Sequence, residues 1–130
     1  MEMAAPQFAH LHVHTEYSML DGSVRVADLM RKVGESGMNA VAMTDHGVLY
    51  GAVEFYKEAM KAGIKPLLGC ELYVAPGSMH EKKSASGKDA AYHLTVLAEN
   101  NEGWANLIKL VSAAHLEGFY YKPRVDKELL

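Results

Sequence analysis

The strongest constraint on this chain is the order in which its hydrophobic periodicity changes. Phe8 to His14 (F-A-H-L-H-V-H) alternates with a period of two, the signature of a strand, which puts His10, His12 and His14 on one face and Leu11 and Val13 on the other. Val26, Leu29, Met30 and Val33 then recur at helical spacing, with Gly37 as the stop. Ala40 to Thr44 is a short apolar run that reads as a buried strand leading into Asp45-His46-Gly47. A second helix carries Ala52, Phe55, Tyr56 and Ala59 on one face and ends near Gly63. Lys65 to Leu68 and Glu71 to Ala75 read as two further short strands separated by Gly69-Cys70, and Tyr92 to Ala98 as another. The last helix shows Trp104, Leu107, Ile108 and Val111, with Asn101 as N-cap and Gly118 as stop, and a new helix is expected at the closing K-E-L-L. Between them lie an Asp21-Gly22 turn and a polar loop from Pro76 to Ala91. Strands alternating with helices in this way predict an α/β fold with a mostly parallel sheet.

Composition narrows the class. The chain is 49% hydrophobic, ordinary for a globular domain, and 130 residues allow one domain at most. Thirteen basic against sixteen acidic residues exclude a basic nucleic-acid wrapper, though not a nucleic-acid enzyme with a local patch. The N-terminal M-E-M-A-A-P lacks a basic start followed by an apolar block, and no apolar run approaches the roughly 18 residues that span a bilayer, so neither secretion nor a membrane is expected. The single cysteine, Cys70, excludes a disulfide framework and an all-cysteine zinc site, and points to a cytoplasmic location.

The chemistry lies where polar residues interrupt apolar strands. In parallel α/β folds the C-terminal strand ends share one rim, and active sites sit there. His12 and His14 close the first strand, Asp45 and His46 follow the second, and Glu71 follows Lys65 to Leu68. Two histidines at i, i+2 on a strand are about 6.6 to 7 Å apart at the backbone and face one way, so their nitrogens can meet a common ion. Imidazoles mixed with carboxylates suit zinc, manganese or iron better than calcium. The spacing therefore predicts a metal site, against the blander reading of half-buried polar packing.

The blocks H-L-H-V-H-T-E-Y-S-M-L-D-G, A-M-T-D-H-G-V-L-Y-G-A-V-E-F-Y, A-G-I-K-P-L-L-G-C-E-L-Y-V and Y-H-L-T-V-L-A-E-N-N-E-G-W-A-N-L resemble the polymerase and histidinol phosphatase (PHP) domain, from Phe8 onward. The Y-S-x-L-D-G and G-x-x-x-F-Y elements resemble the branch at the N-terminus of bacterial DNA polymerase III alpha subunits. The resemblance implies the N-terminal portion of a distorted (β/α)7 barrel, with 1–130 as a fragment whose remaining ligands and polymerase domains fall beyond Leu130. It implies up to three zinc or manganese ions and hydrolysis of phosphoesters, in this branch similar to a 3′–5′ proofreading exonuclease. It carries the ligand roles to His12, His14, Asp21, His46, Glu71 and His93, with His12, His14 and Glu71 closest to catalysis. The partners implied are DNA at the 3′ end of a primer strand, the other polymerase domains and replisome subunits.

Two other functions share these residues: a stand-alone phosphatase acting on a small phosphate monoester, and a non-catalytic scaffold stapled by metal. An amidohydrolase also uses H-x-H, but the T-D-H and G-C-E blocks argue against it. Among the remaining residues, His10 is expected to align a ligand imidazole, and Asp45 to face away from His46 in a supporting or capping role. His115 is expected to sit at a helix C-terminus, His80 at the surface, and Cys70 to pack. Lys82, Lys83 and Lys88 read as a solvated loop or as phosphate contacts, and Tyr120, Tyr121, Lys122 and Arg124 as ordinary surface or as a contact for single-stranded DNA.

Overall fold

The computed structural model describes residues 8–19, 21–83 and 91–130. Helix α1 (Val26–Glu35) buries Val26, Met30 and Val33, and Gly37 beyond it takes φ +72°. Strand β1 (Ala40–Met43) follows. Helix α2 (Ala52–Ala62) buries Ala52, Phe55 and Ala59 and ends on Gly63 in the left-handed region. Tyr56, expected on its inner face, is exposed.

Strand β2 (Lys65–Val74) is the spine of the sheet. The two strands expected here are one, because Gly69 does not break the ladder. It permits close approach instead: a Cβ there would lie 2.3 Å from the Val96 carbonyl oxygen. β2 pairs in parallel with β1 over its first half and antiparallel with β3 (Tyr92–Leu97) over its second. A short strand not foreseen from the sequence, β4 (Arg124–Val125), pairs in parallel with Tyr73 and Val74. The sheet is thus mixed α/β, parallel at β1–β2 and β2–β4 and antiparallel only at β3.

Helix α3 (Asn101–Leu116) covers the second half of β2. Its cap is Asn100 rather than Asn101: the Asn100 side chain accepts the Gly103 N–H at 2.9 Å. Ile108, on the expected stripe, is half exposed, while Leu107 and Ala114 are buried. The helix expected at the C-terminus is instead a turn over 127–129, closed by Leu129 N–H on the Asp126 carboxylate.

The expected first strand is an extended segment rather than a laddered strand. It runs parallel to β1, with Ala42 N–H on the His10 carbonyl and Thr44 N–H on the Val13 carbonyl, both 2.9 Å. The next ladder positions are taken by side chains. Val13 N–H donates to Thr44 Oγ1 at 2.8 Å, and Thr15 N–H donates to Asp45 Oδ1 at 2.6 Å. Local side-chain acceptors have displaced the backbone pairing. Two cores result, one joining α1, α2 and β1, the other joining β2, α3 and β4, with Leu49 and Trp104 against both.

Candidate metal centre

Glu71 is the focus of the site. It lies at the middle of β2 with only 5% of its surface exposed. Backbone bonds fix it against the loop after β1: Glu71 N–H donates to the Asp45 carbonyl and Gly47 N–H to the Glu71 carbonyl, both 3.0 Å. That register sets His46 beside Glu71. On the other edge Glu71 pairs with Thr95, so His93, two residues along β3, is its diagonal neighbour on the same face.

The carboxylate gathers four imidazoles. Oε2 lies 2.7 Å from His12 Nε2, 3.0 Å from His14 Nε2 and 3.5 Å from His46 Nδ1, and Oε1 lies 2.8 Å from His93 Nδ1. Asp21 completes the group, 2.6 Å from His46 Nε2. The rings of His14 and His46 stack with centroids 4.1 Å apart. All six predicted residues are therefore brought together, in three overlapping triads: His12–His14–Glu71, His14–Asp21–His46 and His46–Glu71–His93.

Burial pushes the Glu71 carboxyl up, but the hydrogen bond from His12 and the charges and bonds of His46 and His93 outweigh it, leaving it below its ordinary range. Asp21 has the same balance: burial raises it, while the Ser18 hydroxyl (3.0 Å) and His46 bring it down further. Both carboxylates are thus held in the charged form that binds cations. The ring nitrogens His14 Nδ1 and His46 Nδ1 are buried and have no hydrogen-bond partner among the described residues. Orphaned buried nitrogens beside a charged carboxylate, in a donor set of imidazoles and carboxylates, fit a divalent metal ion.

Several supporting residues surround the group, and of these only Tyr73 has a signal in sequence spacing. Thr15 donates its hydroxyl to Asp45 Oδ2 at 2.8 Å, and Ser18 accepts the His46 N–H at 3.2 Å. Tyr73 stands edge-on to His93 and parallel to His46, at 5.1 and 5.8 Å between centroids. The signal for Tyr73 was available, since it lies two residues after Glu71 on a strand. Asp45 is fully buried and turns its carboxylate to Thr15.

Of the other expectations some hold and some change: Cys70 packs, His80 is at the surface and His115 lies in the last turn of α3 as expected. The ring contact of His10 is with Phe8, 4.8 Å away, and the residue is exposed rather than set against a ligand imidazole. His115 Nε2 meets the Gly47 carbonyl at 2.8 Å, tying α3 to the His46 loop. Lys82 is exposed, as expected of a solvated loop, and its ammonium donates to the Glu117 and Phe119 carbonyls at the end of α3. Arg124 is 4% exposed and is consumed by the Gly118, Met79 and Glu81 carbonyls, which removes it as a DNA contact. Cys70 is buried, donates to the Asp45 carbonyl, and has its thiol pushed up to about 12 by desolvation. His80 and Lys83 are exposed, and Lys88 lies outside the described residues.

A sheet whose strand-end residues converge on one carboxylate, with a histidine pair from its first segment, defines a metal-binding α/β class, and the PHP domain model matches residues 10–130: the chain belongs to the PHP domain family. Its curated relatives include proteins named DNA polymerase III subunit alpha. It is 51% identical over 122 residues to DNA polymerase III subunit alpha of Borreliella burgdorferi, covering 94% of this chain and 11% of that protein. The corresponding subunit of Thermus aquaticus is 52% identical over 127 residues, covering 95% and 10%. The chain thus spans about a tenth of the length of these relatives.

The fold is shared with a protein described as a metal-dependent phosphoesterase from Bifidobacterium adolescentis, at TM-score 0.54 and 21% identity, over 85% of this chain and 35% of that one. It is also shared with an amidohydrolase from Chromobacterium violaceum solved with sulfate and no metal, at TM-score 0.52 and 20% identity, over 84% and 34%. Among the described residues no helix is long and apolar enough to cross a membrane.

Proposed function

We propose that this chain is the N-terminal portion, residues 1–130, of a larger PHP barrel that hydrolyses phosphodiesters with divalent metal. In the parent protein, a bacterial DNA polymerase III alpha subunit, it acts as a 3′–5′ exonuclease on the primer strand. That subunit works in the cytoplasm with the other polymerase domains and replisome subunits. The observation that carries the reading is the Glu71 carboxylate, nearly buried and within 2.7 to 3.5 Å of four imidazole nitrogens from three chain segments.

His12, His14, Asp21, His46, Glu71 and His93 would hold the ions, zinc or manganese. Bound there, divalent cations supply Lewis-acid polarisation of a phosphoryl oxygen and lower the pKa of coordinated water. Glu71 has two oxygens turned to different imidazoles, so one side chain serves two ligand groups. His12, more than half exposed at its side chain, is the ligand candidate most open to an arriving phosphate. The two backbone bonds of Glu71 to Asp45 and Gly47 hold its stretch of β2 against the loop after β1 when substrate binds.

The test uses the full natural chain that carries this sequence. Changing His12 and His14 together to alanine is expected to abolish metal-dependent removal of 3′ nucleotides and to spare nucleotide incorporation. Equal loss of both activities refutes it and favours the second reading, a metal-stapled scaffold. That reading has its own support, since the same carboxylate cross-links three segments of the fold. It predicts that chelation lowers stability with no hydrolysis to lose.

A further inference from the structure

Beside the metal centre is a cavity of about 280 Å³ that His46 also lines. Tyr17, Tyr50, Tyr73, Tyr121 and Lys122 form much of the rest of its wall. Tyr50 and Tyr121 are 67% and 73% exposed, so aromatic faces stand open to solvent next to a cluster built for phosphate chemistry.

The backbone at Tyr121 is the second observation. Tyr120 N–H closes a tight turn on the Lys122 carbonyl at 3.0 Å, and Tyr121 at its tip has φ +59°. Among the described residues every other positive φ belongs to a glycine: Gly37, Gly47 and Gly63. A bulky side chain is strained in that region where glycine is not. The ring packs edge-on to Tyr120 at 4.7 Å, but this contact leaves it largely exposed and does not account for a tyrosine in place of glycine. Strain kept beside a functional centre points to use of the side chain. The third observation is charge: Lys122 Nζ sits 4.8 Å over the Tyr73 ring, which also meets the rings of His46 and His93. A cation therefore stands one ring away from the ligand cluster.

We propose that this pocket is a nucleoside subsite, in which Tyr121 and Tyr50 stack on the base of the nucleotide whose phosphate lies at the metal centre, with Lys122 facing its phosphates. The inference rests on the phosphoesterase reading and adds to it the recognition of a single unstacked base. Aromatic platforms accept any base, because every base has a π-face. The ligand chemistry is shared by a free mononucleotide and by the 3′-terminal nucleotide of a strand.

The test again uses the full natural chain. A single-stranded oligonucleotide ending in 5-iodouracil is irradiated with the protein, and adducts are mapped by peptide mass spectrometry. Adducts on Tyr121 or Tyr50 are expected, and adducts mapping only elsewhere overturn the proposal. Excess thymidine 5′-monophosphate assigns the source: suppression of these adducts identifies the mononucleotide, persistence the strand end, and both support the subsite.

A second measurement compares kcat/KM for the p-nitrophenyl ester of thymidine 5′-phosphate with that for methyl p-nitrophenyl phosphate, which has no base. Tyr121→Gly removes the ring and relieves the backbone, so unfolding does not explain its effect. The ratio of the two esters is expected to fall roughly 5- to 150-fold, the range that base stacking supplies, and Tyr121→Phe to restore it. An unchanged ratio overturns the subsite while leaving the phosphoesterase reading intact. No hydrolysis of either ester overturns the phosphoesterase reading, and the cross-link then decides the subsite by itself.

Discussion

Replacing Glu71 by glutamine separates a metal centre from a hydrogen-bonded histidine cluster. Glutamine keeps the shape and one carbonyl acceptor, so it still fits a 5%-exposed site, but it loses the charge and one oxygen that faces imidazoles. Glu71 belongs to two of the three triads, His12–His14–Glu71 and His46–Glu71–His93, whereas Asp21 belongs only to His14–Asp21–His46. Substituting even an outer partner of a metal ligand costs about 10- to 100-fold in affinity, or about 1.4 to 2.8 kcal/mol, and removing an anionic ligand costs at least that. Glu71→Gln is therefore expected to weaken two ions and Asp21→Asn one. The assay is competition with a chromophoric zinc chelator, reading affinity and stoichiometry together. Stoichiometry should fall further for Glu71→Gln than for Asp21→Asn, with the remaining sites at least tenfold weaker in the former. If Glu71→Gln binds zinc with the affinity and count of the parent, the carboxylate ligates nothing, and the cluster is polar packing.

Two more outcomes test the surroundings. With its thiol pushed up to about 12, Cys70 is roughly one part in 10⁴ thiolate at pH 8, against about one in four for an ordinary thiol; peptide-level mass spectrometry should find it alkylated by iodoacetamide only after denaturant is added. Asp126 is held below its ordinary 3.8 by N–H bonds from Met79 and Leu129, both 3.0 Å. Because its folded value is depressed, its stabilising effect is present above the ordinary value and lost as pH falls through the folded one. Asp126→Asn should speed exchange of those two amides roughly 13- to 160-fold near neutral pH, as loss of charge-assisted bonds worth about 1.5 to 3 kcal/mol requires, and should flatten their acid dependence. Unchanged protection would show that the carboxylate does not hold the turn.

What could be read from the sequence was what period and polarity determine locally. His12 and His14 stand out because they share a face and interrupt an apolar run, and His46 and Glu71 because they follow buried strands. Asp21 and His93 have no such mark. A turn aspartate and a strand-initial histidine are common, and only the family blocks singled them out. The misreadings come from contacts between distant residues. Arg124 beside two tyrosines looks like a nucleic-acid contact, and it is buried because carbonyls of Met79 and Glu81, more than forty residues away, converge on it. Gly69 reads as a break, yet the Val96 carbonyl on a neighbouring strand is what requires a residue without a Cβ.

The residue that turns these local pieces into one site is Asp45, and it does so without joining the ligand group. Its carboxylate takes both the N–H and the hydroxyl of Thr15, at 2.6 and 2.8 Å, which anchors the residue next to His14. Its carbonyl accepts the Glu71 N–H, and the chain continues from it directly into His46. One buried side chain and one peptide group thus register the histidine pair, the central carboxylate and the third imidazole against each other. The expected first strand is incomplete for the same reason. A full backbone ladder would have used the Thr15 N–H that Asp45 now holds, and the two H-x-H imidazoles would depend on sheet pairing alone. Given up at the end of the sheet, that pairing is replaced by two short bonds to the Asp45 carboxyl group, at 2.6 and 2.8 Å. They lie directly behind the residues that must keep their geometry when an ion or a phosphate arrives.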